Sequence, residues 1–124
     1  MDVLVDTNII LLPFKYGVDV FEEMRRLIPG SRFIMLKKQI DELKNVCRRE
    51  KLNFNSVFGW LSKKVEFIDY FNKNVDWSLI SYAKRTNAII VSQDRDLKTM
   101  AKSQGLKVGT FRPIQKRFVL EDNI

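Results

Sequence analysis

The sequence predicts an α/β fold of three layers, in which a parallel β-sheet lies between two layers of helices. Five short apolar segments have the pattern of buried strands, and segments with helical periodicity alternate with them along the chain. This alternation is typical of βαβ units, whose right-handed crossovers place helices on both faces of a parallel sheet. A length of 124 residues suits one domain, which we expect to span residues 1–124.

The first predicted strand is Val3–Val5, and an aspartate ends it. A helix begins at Asp19, because Glu22 follows three residues later and the pair resembles a capping box. Pro29 and Gly30 end this helix. Apolar residues recur along it at helical spacing and are expected to face the core: Val20, Phe21, Met24, Leu27 and Ile28.

The second predicted strand is Phe33–Leu36, and a helix follows it to about Glu50. One apolar stripe runs along that segment: Leu36, Ile40, Leu43 and Cys47. A further helix is expected around Trp60, before a third strand over residues 65–70. The second half of the chain adds two helix-and-strand pairs: a helix opened by Asp76, a strand over residues 88–91, a helix from Asp94 to Gly105 and a strand over residues 106–111.

Missing residue types exclude several classes of enzyme. The chain has no histidine and a single cysteine, Cys47, which excludes Ser-His-Asp hydrolysis and multi-cysteine zinc sites. Its five glycines form neither a Walker A loop nor a GxGxxG pattern. The net charge of +7 favours a polyanionic partner such as a nucleic acid. No apolar run is long enough to cross a membrane and the start does not resemble a signal peptide, so we expect a cytoplasmic protein without a membrane partner.

Acidic residues follow four of the predicted strands. Asp6 comes directly after the first strand, and Asp94 comes three residues after the fourth. Glu42 lies on the helix after the second strand, where a rotation of 100° per residue places it beside the apolar stripe. Asp76 opens the helix after the third strand. Because ligands of parallel sheets bind at the carboxyl ends of the strands, we expect the four carboxylates to meet on one rim.

Four carboxylates on one rim repel each other, and their pKa values rise unless a cation neutralises them. Oxygen ligands without histidine or cysteine select Mg²⁺ or Mn²⁺, and two such ions can activate water for phosphodiester cleavage. Each acid also has an ordinary structural explanation: Asp76 and Asp94 as helix caps, Asp6 as a turn residue and Glu42 as a solvated helix residue. The pattern therefore indicates a metal-dependent nuclease, with these structural roles as the alternative.

Four segments resemble, in order and spacing, the successive motifs of PIN domains: VLVDTNII (Val3–Ile10), IDEL (Ile40–Leu43), VDWSLISYA (Val75–Ala83) and IIVSQDRDL (Ile89–Leu97). The resemblance covers nearly the whole chain. It implies a Mg²⁺- or Mn²⁺-dependent endoribonuclease on a parallel five-stranded α/β/α sheet. Two kinds of PIN protein are relevant, namely VapC-like toxins, which an antitoxin protein silences, and nucleases that process ribosomal RNA precursors. The end of the chain slightly favours the archaeal processing type.

The resemblance assigns roles position by position. The acids that match the four catalytic, metal-binding positions are Asp6, Glu42, Asp76 and Asp94. Asp96 matches a frequent auxiliary metal-binding acid, while Asn8 and Ser92 match polar positions that orient carboxylates or waters. Many members carry a second acid where Trp77 stands, so Asp76 is alone at that point of this chain.

RNA and a second copy of the chain are the expected partners. Six basic residues are candidates for holding RNA phosphates, with a solvated surface as the alternative: Lys44, Arg48, Arg49, Arg112, Lys116 and Arg117. Aromatic residues are frequent around Phe14–Tyr16 and Phe54–Trp60, which suggests a homodimer. Two other functions remain open: a catalytically silent PIN fold that binds RNA or protein, and a receiver-like signalling domain with Asp69 as phosphoryl acceptor.

Overall fold

The computed structural model describes residues 1–121, which form one mixed β-sheet with helices on both faces. The strands are β1 (Asp2–Val5), β2 (Arg32–Leu36), β3 (Glu66–Ile68), β4 (Ile89–Val91), β5 (Val108–Arg112) and β6 (Arg117–Glu121). The helices are α1 (Leu12–Tyr16), α2 (Val20–Leu27), α3 (Gln39–Arg49), α4 (Phe54–Ser62), α5 (Val75–Thr86) and α6 (Arg95–Ser103). A short 3-10 helix, Thr7–Leu11, joins β1 to α1. Within the described residues, none of these helices is long and apolar enough to span a membrane.

The strand order is β3-β2-β1-β4-β5-β6, and the first five strands run parallel. The prediction of five parallel strands is confirmed, with ends that differ by up to two residues. From β1 the chain builds outward through β2 and β3, and it then returns to add β4 on the opposite side of β1. The carboxyl ends of β1 and β4 therefore flank the point where the direction of sheet building reverses, which is where ligands of such sheets bind.

The sixth strand, β6, is not among the five strands that the sequence predicts. A turn after β5 brings β6 back antiparallel to β5, with Arg112 paired to Arg117. Phe118 is buried in the core, and Glu121 accepts a hydrogen bond of 2.7 Å from the Lys98 ammonium. Burial would raise the pKa of Glu121, but hydrogen bonds from Lys102 and Lys98 hold it below its usual value. An antiparallel edge strand on a parallel sheet is a common arrangement.

Two apolar cores, one on each face of the sheet, confirm the three layers. On one face, Val3 and Val5 of β1 pack with buried residues of α2, α3 and α4, whereas on the other face Leu4 packs with α5 and α6. Successive residues of a strand point to opposite faces, so a strand covered on both sides is apolar throughout. The run Val3–Val5 therefore follows from its central place in the sheet.

Two details of the helices differ from the prediction. Asp76 does not open α5, because Val75 is its first residue and the Asn74 side chain accepts the capping hydrogen bond from the Trp77 amide at 2.8 Å. The stripe predicted for α3 is also displaced. Leu36 belongs to β2, Ile40 is half-buried, and Gln39 occupies the buried position in the first turn.

Candidate functional site

Four acids from four different parts of the chain line one small pocket at the carboxyl edge of the sheet. The pocket has a volume of about 180 Å³, and its lining consists of Asp6, Thr7, Asn8, Glu42, Val46, Asp76 and Asp94. Asp6 follows β1, Asp94 follows β4, and Glu42 and Asp76 lie in the first turns of α3 and α5. The predicted convergence of these four side chains on one rim is what the structure shows.

Asp6 is the most deeply placed of the four, with 8% of its surface exposed. One carboxylate oxygen accepts a hydrogen bond of 2.8 Å from the Thr7 amide, and the other accepts one of 2.6 Å from the Ser92 hydroxyl. Burial raises the pKa of Asp6 to about 6 despite these two hydrogen bonds, and the charges of Glu42 and Asp76 add to the rise. The Asp6 carboxylate is thus oriented but costly to ionise without a cation.

Glu42 is held by a chain of hydrogen bonds that begins at a buried glutamine. The Gln39 side chain accepts from the Leu36 amide at 2.7 Å and donates to the Thr7 hydroxyl at 3.2 Å. The Thr7 hydroxyl in turn donates to Glu42 Oε1 at 2.9 Å. Partial burial raises the pKa of Glu42, the hydrogen bond from Thr7 opposes this rise, and the charge of Asp76 adds to it.

Asp76 and Asp94 complete the acidic lining. Burial raises the pKa of Asp76, and the neighbouring charge of Asp94 raises it further. Asp94 caps α6, since its Oδ1 accepts from the amides of Asp96 and Leu97 at 2.8 and 3.2 Å. The capping role and the place in the pocket, which the sequence left as alternatives, therefore coexist at Asp94.

The loop after β4 is fixed by polar side chains that connect the acids. The Ser92 hydroxyl, which donates to Asp6, also accepts from the Asp94 amide at 2.9 Å. Asn8 accepts from the Gln93 amide at 3.3 Å, and the Gln93 side chain accepts from the Phe111 amide at 2.7 Å. Ser92 and Asn8 thus stand beside the acids as predicted, whereas Gln93 was not recognised.

Sequence reasoning also missed Thr7 and Gln39. Thr7 lies inside the segment VLVDTNII, next to Asp6, so its position was a signal that a hydroxyl stood among the acids. Gln39 gave no such signal, because a polar residue at the start of a helix is usually solvated. Its burial follows from its hydrogen bonds, which also include one of 2.9 Å to the Val5 carbonyl.

The donor set of the pocket fits a hard divalent cation. All the available ligands are carboxylate, hydroxyl or amide oxygens, which Mg²⁺ and Mn²⁺ prefer. Among residues 1–121, no three acidic or cysteine side chains are close enough together to hold an ion directly. Mg²⁺ usually binds through one or two carboxylates and keeps several waters, so this spacing suits a hydrated ion. Asp96 is exposed on α6 and does not line the pocket.

The predicted RNA-binding residues form two exposed groups outside the pocket. Lys44, Arg48 and Arg49 lie on α3, where the Lys44 ammonium is 5.7 Å from the centre of the Phe54 ring. The others lie in and beside the β5–β6 turn: Arg112, Lys116 and Arg117. Arg112 ends β5 and thus lies at the same edge of the sheet as the acids.

A second cavity of about 480 Å³ adjoins the acidic pocket and shares Glu42 and Asp76 with it. The rest of its lining mixes a cation with apolar side chains: Lys73, Asn74, Val75, Trp77 and Met100. A third cavity of about 560 Å³ lies between α1 and α4, and Phe14 and Trp60 are among its lining residues. The aromatic residues that suggested a dimer therefore border an apolar groove.

The family of the chain follows from a match that covers the whole site. The family model of a PIN like domain matches residues 3–114, which include the four acids and the strands that carry them. The chain belongs to the PIN-like domain family. This confirms the resemblance drawn from the four sequence segments and sets aside the receiver-like alternative. Asp69, the acceptor in that alternative, follows the edge strand β3 and is exposed.

One curated relative of this PIN-like chain is Ribonuclease VapC9 from Archaeoglobus fulgidus. The two chains are 28% identical over 120 residues, which is 94% of this chain and 87% of the relative. This relative is named as a ribonuclease, and its similarity extends over nearly the full length of both proteins.

Solved structures share the fold. The PIN domain endonuclease Utp24 matches with a TM-score of 0.77 at 16% identity, over 97% of this chain and 90% of that one. VapBC2 from Rickettsia felis, bound to a promoter DNA fragment, matches with a TM-score of 0.67 at 16% identity, over 90% of this chain and 100% of that one. VapBC-1 from Haemophilus influenzae matches with a TM-score of 0.61 at 20% identity, over 87% of this chain and 96% of that one.

Proposed function

We propose that this PIN-like domain is a metal-dependent endoribonuclease. The observation that carries the proposal is the pocket in which Asp6, Glu42, Asp76 and Asp94 converge from four elements. The pKa values of the first three are raised, and each of the three feels the charge of another acid of the set. The name of the VapC9 relative and that of the Utp24 neighbour support a nuclease.

Some residues of the pocket would hold the metal, and others orient the side chains that hold it. Asp6, Glu42, Asp76 and Asp94 would hold Mg²⁺ or Mn²⁺ directly or through its waters, whereas Asp96 is exposed and does not line the pocket. When bound, the metal supplies an activated water and stabilises the oxygen that leaves the phosphate. Ser92 and Thr7 keep one oxygen each of Asp6 and Glu42 in fixed directions. Asn8 fixes the loop between Ser92 and Asp94.

Exposed basic residues outside the acidic pocket would hold the RNA. Lys44, Arg48 and Arg49 extend from the helix that carries Glu42, and Arg112 lies at the same sheet edge. Lys116 and Arg117 add two positive charges in and beside the β5–β6 turn. Such contacts to phosphates bind RNA without regard to its sequence.

One relationship bears on the biological role. The full-length similarity to a VapC ribonuclease favours a toxin-type ribonuclease over processing of ribosomal RNA precursors. We therefore include an antitoxin protein and a second copy of the chain among its partners. Expression of the chain alone is expected to arrest growth, and an antitoxin-like protein encoded directly upstream is expected to relieve the arrest when it is co-expressed.

The direct test is cleavage of single-stranded RNA by the purified protein. We expect cleavage with Mn²⁺ or Mg²⁺, none with a chelator, and a loss of at least about 100-fold for Asp6→Asn. Asp69→Asn is the matched control, since it removes the same charge from an exposed acid after another strand, and it should cleave normally. RNA binding without any cleavage would instead identify a catalytically silent module.

A further inference from the structure

We propose that the 480 Å³ cavity beside the acids binds one unpaired nucleotide of the RNA. In this arrangement the base stacks on Trp77 beside Met100, and Lys73 contacts a phosphate. The inference rests on the proposed function, since it concerns how the substrate of the same site is held. A cavity that binds an unpaired nucleotide requires the RNA to be single-stranded at the cleavage position.

The cavity is continuous with the acidic pocket. Glu42 and Asp76 line both spaces, so an RNA chain whose phosphate lies at the acids places an adjacent nucleotide at the cavity. The two spaces also differ in size. The acidic pocket of about 180 Å³ suits a hydrated ion, whereas the neighbouring space of about 480 Å³ has the size of a small ligand site.

The side chains that line the cavity suit a stacked base. Trp77 is half-buried and packs against the apolar core that α5 and α6 form on one face of the sheet, so contacts with this core hold its ring in place. Met100 of α6 is 37% exposed and adds a polarisable thioether to the same space. Unpaired RNA bases are recognised by stacking on aromatic side chains, and every base has a face that can stack.

The loop that carries Lys73 is preformed. Ser78, which is fully buried, accepts from the Asn72 amide at 2.7 Å and donates to the Asn74 carbonyl at 2.6 Å. These bonds hold the two residues that flank Lys73, whose backbone is in the left-handed region at φ 69°. Within residues 1–121 the Lys73 ammonium takes part in no ion pair, so it is available for a phosphate.

Tryptophan fluorescence tests the stacking without metal or catalysis. The chain has two tryptophans, and Trp60 lies in the groove between α1 and α4, away from this cavity. In Trp60→Phe, where Trp77 is the single tryptophan, single-stranded oligo(A) in EDTA is expected to quench the tryptophan emission excited at long wavelength, and an A·U duplex is not. Should Trp60→Phe not fold, the comparison of wild type with Trp77→Phe serves, since the quenching must disappear in the latter.

Cleavage of substrates that lack one base provides the second test. We expect Trp77→Ala to lower kcat/KM about 5- to 150-fold, as for the loss of one stacked base. Trp77→Phe should retain most of the activity. Removing one base next to the cleaved bond should lower kcat/KM of the wild type by a similar factor. It should lower kcat/KM of Trp77→Ala only slightly, since both changes delete the same contact. Phe71→Ala, an exposed aromatic of the same loop outside the cavity, is the matched control.

Either of two results would overturn the subsite: no quenching of Trp77, or equal losses for Trp77→Ala and Phe71→Ala. If either result is found while RNA is still cleaved, the subsite is refuted and the proposed nuclease function stands. Quenching of Trp77 without any metal-dependent cleavage would support the nucleotide site while the proposed catalytic function fails.

Discussion

The Thr7 hydroxyl donates its proton to Glu42 Oε1 over 2.9 Å, and the buried Gln39 determines the direction of this bond. Gln39 Nε2 donates both to the Val5 carbonyl and to Thr7 Oγ1, while Gln39 Oε1 accepts from the Leu36 amide. Because the Thr7 oxygen is already an acceptor for Gln39, its one proton is directed at Glu42. The uncharged side chain of Thr7 thus donates a hydrogen bond to Glu42, an acid of the pocket.

Gln39→Met is expected to destabilise the protein by more than about 2 kcal/mol. The substitution leaves the Leu36 amide and the Val5 carbonyl buried without their partner, and each such group costs about 1–3 kcal/mol. Urea denaturation measures the loss. Gln115→Met, a change of the same type at an exposed turn residue, is the control and should be nearly neutral. Equal stability of the two variants would contradict the role of Gln39.

Burial of Asp6 predicts a pH-dependent stability in the absence of metal. Its pKa is about 6 in the folded protein against 3.8 ordinarily, so the folded state binds the proton more tightly than the unfolded state. The stability that the proton provides, at most about 3 kcal/mol, is complete below about pH 4 and is lost as the pH rises to about 6. Denaturation in a chelator should show this slope, and Asp6→Asn should flatten it. Equal slopes in the wild type and Asp6→Asn would contradict this prediction.

The fold and the acids were predictable, while the bonds between side chains were not. Asp6 directly follows β1 and Asp94 lies three residues after the end of β4, and parallel strands bring their carboxyl ends to one edge, so spacing along the chain was sufficient. β6 was missed because Phe118 and its neighbours form a short run whose burial depends on the turn that returns it to β5. Gln39 was missed because three partners from β1, β2 and the 3-10 helix, none visible in the local sequence, make its burial favourable.

The basic residues of α3 should affect RNA affinity and not chemistry. If Lys44, Arg48 and Arg49 each neutralise one phosphate of a single strand, replacing all three by Ala should reduce the log-log salt slope by about two units. The affinity should fall to a similar extent for RNAs of different sequence. A triple variant with the wild-type salt slope would mean that these side chains are merely solvated, and the β5–β6 turn would become the next candidate.

Asp94→Asn should separate binding from cleavage. Asn is as good a helix cap as Asp, so α6 should remain capped and the fold stable. Because one negative charge leaves the pocket, RNA affinity should stay equal or increase, while turnover should fall at least about 100-fold. Filter binding and cleavage assays on the same preparation measure both quantities. Wild-type turnover in this variant would contradict a metal role for Asp94.

The groove between α1 and α4 is expected to lie at a homodimer interface. Phe14 is 52% exposed there, and its ring stands edge-on to Trp60 at 6.5 Å between centroids. Light scattering should give twice the chain mass of 14.6 kDa, and Phe14→Ser should shift the protein toward the monomer. A mass of 14.6 kDa at every concentration would remove this prediction.

Calorimetric titration with Mn²⁺ tests most directly whether the four carboxylates form one metal site. The wild type and the control Asp69→Asn should bind Mn²⁺ with the same affinity at pH 7. Asp6→Asn should bind at least about 10-fold more weakly, because it removes one charge and one oxygen donor from the pocket while the fold remains intact by circular dichroism. Equal Mn²⁺ affinity in the wild type and Asp6→Asn would contradict the account.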